Sequence, residues 1–110
     1  MDATPKELRI YRTVDGRLPF EAWLVSLRDE RARARILVRL DRVSLGNFGD
    51  CQNVGGGVQE LRIDYGPGYR VYFGQSGSTI VLLLCGGDKN TQAVDIRLAQ
   101  NCWNEYRRRP

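Results

Sequence analysis

The chain has 110 residues, of which 42% are hydrophobic and 27% are charged. This length allows a single domain with one modest core, and the composition excludes disordered and collagen-like proteins. The longest apolar run, residues 79–85, is too short to cross a bilayer. The N-terminus is polar and charged through Arg12, so we expect no secretory signal. We therefore expect one domain over residues 1–110, located in the cytoplasm and without a membrane partner.

The charge is moderately basic, with a net +4 from 17 basic and 13 acidic residues. The acidic residues are spread along the chain, whereas the arginines crowd into one internal segment and the C-terminus. Such clustering is typical of proteins that bind a polyanion or an acidic protein. The alternative is a solvated helix face, and charge alone favours neither interpretation. The clustered residues are Arg28, Arg31, Arg33, Arg35, Arg39, Arg42, Arg107, Arg108 and Arg109.

The cysteine pattern argues against a metal centre. Three cysteines stand at irregular spacing, no Cys-x-x-Cys pair is present, and the chain has no histidine. A zinc site built from such residues would need an unusual ligand set. We expect no metal and no cofactor, and interpret the cysteines as three reduced thiols, with Cys85 and Cys102 in the core.

The first half of the chain predicts a strand followed by two helices. Residues 7–12 alternate polar and apolar side chains, as a half-buried strand does, and residues 13–17 make a turn. Pro19 suits the first turn of a helix, and a second helix is predicted over residues 30–44, before a loop over residues 48–57. The inward-facing residues are predicted to be Phe20, Trp23, Leu24 and Leu27 in the first helix and Ile36, Leu37, Leu40 and Val43 in the second.

The second half predicts a three-stranded antiparallel meander and a final helix. The strand candidates are residues 58–64, 69–74 and 79–85, joined by two glycine-containing turns. A turn over residues 86–89 leads to a helix that Asn90 or Thr91 caps and that ends near residue 108. This order of elements makes an α+β fold. The inward stripe of the last helix is predicted to be Ile96, Ala99, Trp103 and Tyr106.

Several motifs in the same order carry a resemblance to a known family. Residues 57–63 read GVQELRI, residues 66–73 read GPGYRVYF, and residues 81–96 read VLLLCGGDKNTQAVDI. Upstream, residues 19–24 read PFEAWL, and RLDR is followed by GNFGD at residues 46–50. Together these segments resemble the RelE/ParE toxin superfamily, and within it the HigB-like addiction module killer proteins of the phage Gp49-like group. The resemblance covers essentially the whole chain and implies the RelE/ParE toxin fold.

The resemblance also implies a function, with two branches. A toxin of a type II toxin–antitoxin system binds a cognate antitoxin in a hetero-oligomer. Many members of the superfamily cleave mRNA in the ribosomal A site as metal-independent endoribonucleases and so inhibit translation. Members of the ParE branch poison DNA gyrase without nuclease chemistry. A third possibility is a non-toxic regulator that binds only an antitoxin or DNA, and the motifs do not separate these outcomes.

Three cations are the candidates for RNA cleavage. Without metal, the reaction needs a base, an acid and cations that stabilise the phosphorane, and no histidine is available for proton transfer. Arg62 matches a basic strand residue of the mRNA-cleaving relatives, and Arg70 belongs to their Gly-Tyr-Arg motif. Regular pairing would present both arginines on one face, although Arg70 could instead pair with Glu60 or Asp64. Lys89 precedes a helix N-terminus, whose N–H groups could help it bind an anion, unless it is an ordinary turn lysine.

Each of the remaining candidates also has a structural alternative. Tyr69 could stack on RNA bases and Tyr65 could donate a proton, whereas most strand tyrosines pack in cores. Gln92 could bind RNA, and Asp95 could act as a base or only favour the helix N-terminus by its charge. Arg35 and Arg39 are candidates for binding ribosomal RNA or an acidic antitoxin surface.

Overall fold

The computed structural model describes residues 4–110 and contains five strands, three helices and one 3₁₀ turn. The N-terminal half consists of β1 (Glu7–Ile10), α1 (Pro19–Ser26), α2 (Glu30–Ser44) and β2 (Cys51–Gly55). The C-terminal half consists of β3 (Val58–Ile63), β4 (Tyr69–Ser76), β5 (Ile80–Asp88), the 3₁₀ turn Lys89–Thr91 and α3 (Gln92–Arg107). The predicted α+β class and order of elements are confirmed. No helix within residues 4–110 is long and apolar enough to span a membrane.

The five strands form one sheet in the order β1-β5-β4-β3-β2. Strands β2 to β5 make an antiparallel meander, and β1 lies parallel to β5 at the opposite edge. Helices α1 and α2 pack on one face of the sheet and α3 packs on the other, so two separate apolar clusters form. The meander therefore has four strands, one more than the sequence predicted.

Helix α2 begins and ends where the sequence predicts. The Asp29 side chain caps it by accepting hydrogen bonds from the N–H groups of Arg31 and Ala32. Its buried residues recur at helical spacing, but Leu37 is 51% exposed, so the prediction that Leu37 faces inward is wrong. One helical position is about 100° of rotation, which turns Leu37 away from its buried neighbour Ile36. The buried residues are Ala32, Ile36, Leu40 and Val43.

Helix α3 begins after the 3₁₀ turn rather than directly after the sheet. Asp88 accepts a hydrogen bond from the N–H of Asn90 and forms a capping box with Thr91. Thr91 is the N-cap residue of α3 but makes no side-chain cap hydrogen bond there. Cys85 and Cys102 are buried as predicted, and all three cysteines are free thiols.

The sequence prediction is wrong at two places in the sheet. Strand β2 lies inside the predicted loop. Its sequence, CQNVG, lacks the apolar alternation that would have predicted a half-buried strand, and pairing with β3 holds it in the sheet. Strand β5 continues through Gly86 and Gly87, where a turn was predicted. A side chain at Gly86 would overlap the ring of Trp23, and one at Gly87 would overlap the Asp95 carboxylate. These glycines therefore serve close packing on either side of a strand.

Candidate functional site

The three predicted cations line one open cleft at the turn end of the β3–β4 hairpin. Arg62 and Arg70 extend from the two strands, and Lys89 approaches from the end of β5. The cleft has a volume of about 490 Å³. Its remaining lining residues are Asp50, Ile63, Asp64, Gly66, Pro67 and Gly68.

The pairing of β3 with β4 brings the two arginines together. Arg62 lies directly opposite Arg70 in the register, so both side chains leave the same face of the sheet, as the sequence predicts. Two like charges at this spacing repel each other, and each guanidinium has its own carboxylate. Arg62 binds Asp50 at 2.9 Å, and Nε of Arg70 lies 3.8 Å from Oε1 of Glu60.

The two ion pairs differ in their contact with solvent. The Arg62–Asp50 pair is open to water, since the Asp50 side chain is more than half exposed. The Arg70 side chain is 14% exposed and Glu60 is completely buried. The proposed alternative for Arg70, a pair with Glu60, is therefore present in the structure. Arg70 pairs with Glu60 and lines the cleft at the same time, because its Nη1 lies beside Gly68 at the cleft wall.

Lys89 contributes an ammonium group at the start of the 3₁₀ turn. It is exposed, begins the 3₁₀ turn and places its Cβ next to Gly68 across the cleft. The main-chain N–H groups that follow it are bound by the Asp88 side chain. A carboxylate of the protein therefore occupies the N-terminus of the 3₁₀ turn, and an anion site at the N-terminus of α3 stays a prediction.

A buried polar cluster lies behind the arginines, under the first turn of α3. Oε2 of Glu60 accepts hydrogen bonds from the Tyr72 hydroxyl at 3.0 Å and from Nε2 of Gln92 at 2.8 Å. Burial and the hydrogen bond to Glu60 raise the pKa of Tyr72 well above its usual range, so its hydroxyl remains a donor. One amide N–H of Gln92 is thus engaged by Glu60, and the binding of RNA by Gln92 stays a prediction. Period-2 alternation places Glu60 on the face of Arg62, the one signal in the sequence that could have identified it.

Asp95 does not line the cleft, although it packs on Gly87, the residue of β5 that lies opposite Arg70 in the register. Its carboxylate rests on Gly87 and accepts a hydrogen bond from the Thr91 hydroxyl. Burial raises the pKa of this carboxyl above its ordinary value. Its position in the first turn of α3 fits the electrostatic alternative, and it does not line the cleft with the three cations.

The two candidate tyrosines are turned toward the α1 and α2 face. Tyr69 is 9% exposed and packs edge-on against Trp23 with the ring centroids 6.3 Å apart, so it belongs to the core and offers no face for a base. Tyr65 donates its hydroxyl to Asp29 at 2.9 Å, and this hydrogen bond raises its pKa. Neither residue meets the cations of the cleft.

The two arginines of α2 that are candidates for binding RNA or an antitoxin also make contacts within the protein. Arg35 lies over the Tyr65 ring, 4.6 Å from its centroid. Arg39 donates hydrogen bonds to the main-chain oxygens of Phe48 and Asp50, at 3.0 and 3.3 Å, and to that of Arg62. Arg39 therefore supports the strand that carries Arg62 from behind.

The residues of the cleft show no arrangement for a metal ion. Among residues 4–110, no three cysteine or acidic side chains come close enough together to hold one. The cleft instead combines two arginine forks and one ammonium, a set of donors that suits the oxygens of a phosphate group.

Most of the chain is similar to known proteins. The model of the family described as phage derived protein Gp49-like (DUF891) matches residues 22–103. An uncharacterized protein of Haemophilus influenzae is 51% identical over 83 residues, which cover 76% of this chain and 84% of that protein. The matched region contains α2, the whole meander and every lining residue of the cleft. The chain therefore belongs to the phage-derived Gp49-like family, a family associated with the toxins of toxin–antitoxin systems.

Proposed function

We propose that this protein is the toxin of a type II toxin–antitoxin system and that it cleaves mRNA on the ribosome. It acts in the cytoplasm as a HigB-like member of the RelE/ParE superfamily, and a cognate antitoxin neutralises it in a hetero-oligomer. Membership of the Gp49-like family supports the toxin class. The observation that carries the nuclease activity is the convergence of Arg62, Arg70 and Lys89 on one cleft.

The charges of the cleft favour a nuclease that depends on another particle for its substrate. Arg62 and Arg70 each face a carboxylate, so the cleft attracts free RNA weakly. Within residues 4–110, neither Lys89 nor Asp64, the other unpaired charged residue of the lining, makes an ion pair, so the cleft has no excess of positive charge. A ribosome that presents a fixed, bent phosphodiester would supply the proximity that this cleft lacks.

The arginine forks and Lys89 act on the phosphate during cleavage. The 2′-hydroxyl loses its proton as its oxygen attacks phosphorus, the bond to the 5′-oxygen breaks, and the 5′-oxygen takes up a proton. The products are a 2′,3′-cyclic phosphate and a 5′-hydroxyl end. Negative charge accumulates on the non-bridging oxygens in the transition state, where fixed cations stabilise it best. Removal of one such donor lowers rates by about 10²–10³-fold in other enzymes. Tyr65 and Asp95 lie outside the cleft, and we assign them no proton-transfer role.

Expression without antitoxin tests the proposal directly. We expect growth arrest of the host, with new 5′ ends inside translated regions of the mRNA. Arg70→Ala should lower the cleavage rate about 10²–10³-fold and so prevent both effects in cells. Arg9→Ala, which removes an exposed arginine paired with Glu7, should preserve them. Circular dichroism of both variants separates a loss of activity from a loss of folding.

Two outcomes would overturn the proposal. Growth arrest with intact mRNA and induced DNA damage signalling would contradict the nuclease and indicate gyrase as the target. Normal growth at verified expression would contradict the toxin itself and leave a protein that binds an antitoxin or DNA as a regulator.

A further inference from the structure

A buried carboxylate lies directly behind the cleft. Glu60 has no exposed surface, and within residues 4–110 its Oε1 and the Nε of Arg70 are the buried side-chain polar atoms without a hydrogen-bond partner. The two atoms face each other at 3.8 Å. A buried charge without compensation is costly, so an isolated carboxylate at this place would destabilise the protein.

We propose that Glu60 is a positioning residue that holds Arg70 by its Nε and thereby turns the two Nη groups toward the substrate phosphate. The identity of the ligand, a phosphate of mRNA, rests on the proposed nuclease function. The pairing of Glu60 with Arg70 does not depend on that function. Guanidinium can donate on one side to a carboxylate and on another to a phosphate, since its donors form a planar fork.

Two other residues set the direction of the Glu60 carboxylate. The Tyr72 hydroxyl and the Gln92 amide both donate to Oε2, so they leave Oε1 directed at Arg70. Tyr72 lies opposite Glu60 in the register, and Gln92 begins α3. The carboxylate is therefore fixed from β4 and α3 at once, on rigid elements rather than on a loop. In metal sites, removal of a residue that orients a ligand from behind costs about 10–100-fold in affinity or activity, and we take this as the scale of the effect.

The distance between Nε and Oε1 suggests how the pair responds to substrate. A charge-assisted hydrogen bond between such groups spans about 2.7–2.9 Å, roughly 1 Å shorter than the observed separation. When a phosphate binds the Nη groups, the guanidinium is held on both sides, and we expect Nε to approach Oε1. Glu60 thus stabilises the arrangement that the transition state requires.

The first test compares cleavage by Glu60→Gln and wild type on ribosomes programmed with a short defined mRNA. Glu60→Gln keeps the shape and removes the charge. We expect the single-turnover rate to fall about 10–100-fold while the half-saturating toxin concentration changes less than threefold. Glu7→Gln, which removes the exposed carboxylate paired with Arg9, is the matched control and should cleave as wild type.

The second test asks whether Glu60 acts through Arg70. In the Arg70→Ala background, Glu60→Gln should lower the rate no further, because the group it positions is absent. A merely structural role would lower the rate by the same factor in both backgrounds, and that result would overturn the proposal. If Glu60→Gln does not fold, Gln92→Ala replaces it in both backgrounds, since it removes one of the two donors that direct the carboxylate.

The third test needs no nuclease activity. In protein with ¹⁵N-labelled arginine, the Arg70 Nε–H should give a distinct NMR signal that shifts when inorganic phosphate is added and that broadens or moves in Glu60→Gln. An Arg70 signal identical in wild type and Glu60→Gln would overturn the proposal. If the wild type holds Arg70 in this way yet cuts no mRNA on ribosomes, the proposed function fails and the pairing stands.

Discussion

The two faces of the sheet bury different kinds of side chain. Beneath α1 and α2 the core is apolar throughout and includes the stacked rings of Phe48 and Phe73. Beneath α3 the core is apolar only toward the C-terminal end of the helix, where Trp103 covers Gly74. Toward its N-terminal end, the same helix covers the polar cluster around Glu60. One face is therefore built for stability, and the other also supports the cleft.

This difference follows from the cost of buried polar atoms. An apolar face gains stability with each side chain it buries, whereas a buried carboxylate must be matched by donors of fixed geometry. The α3 face can carry Glu60 because the opposite face already stabilises the fold. The buried polar residues around Arg70 are thus confined to one half of one face.

The largest expected effect concerns the apolar face. Ile36→Ala should lower the free energy of unfolding by about 2–5 kcal/mol, because it leaves a cavity among residues of α2 and the sheet. The adjacent substitution Leu37→Ala is the control, and its exposed side chain predicts less than about 1 kcal/mol. Urea denaturation of both variants measures the difference. Equal losses would contradict the orientation of α2.

Two glycines, one on each face of the sheet, allow the packing of the two faces to be compared by the same glycine-to-alanine substitution. Gly86→Ala inserts a methyl group against Trp23 on the α1 face, and Gly74→Ala inserts one against Trp103 on the α3 face. Each should destabilise the protein by about 1–3 kcal/mol through overpacking. Trp23→Leu should reduce the penalty of Gly86→Ala and leave that of Gly74→Ala unchanged. Thermal denaturation of this set checks the assignment, and rescue of both glycine variants by one tryptophan variant would contradict it.

The pH dependence should have opposite sign for two aspartates on the two sides. Burial raises the pKa of Asp95 above the ordinary 3.8, so its contribution to stability is complete below that value and is lost as pH rises through the raised pKa. The hydrogen bond from Tyr65 lowers the pKa of Asp29 below 3.8, so its contribution is present above 3.8 and is lost as pH falls through the lowered pKa.

Denaturation across the acidic range measures this contrast. Relative to wild type, Asp95→Asn should gain stability as pH rises, because it removes a carboxylate that is costly to ionise in the fold. Asp29→Asn should lose stability over the same range, although asparagine still serves as an N-cap. If the stability of both variants relative to wild type changed with pH in the same direction, the opposite pKa shifts of Asp95 and Asp29 would be contradicted.

The smallest expected effect concerns the exposed arginine pair. Asp50→Asn should change the free energy of unfolding by only about 0–1 kcal/mol, because solvent screens an ion pair that is this exposed. The same change should strengthen binding of a non-cleavable 2′-deoxy oligonucleotide, since it removes an acidic group from the cleft. A salt titration of this binding is the measurement. Weaker binding would mean that Asp50 positions Arg62 as Glu60 is proposed to position Arg70.

The site was only partly predictable. The opposition of Arg62 and Arg70 follows from period-2 alternation across a four-residue turn, and the register confirms it. Burial of Tyr69 did not follow, because it depends on which face Trp23 of α1 covers. The role of Gln92 was missed for the same reason, since its partner Glu60 lies 32 positions away in the chain.

The sequence by itself determined the helices, the hairpin and the class of fold, because periodicity, capping residues and turn glycines act over a few neighbouring positions. Only the tertiary structure decided that Cys51–Gly55 becomes a strand, that β5 runs on to Asp88, and that Lys89 reaches the cleft of the two arginines. It also decided which polar residues are buried together, Glu60 above all. These outcomes depend on pairing and packing between distant segments, which no local pattern records.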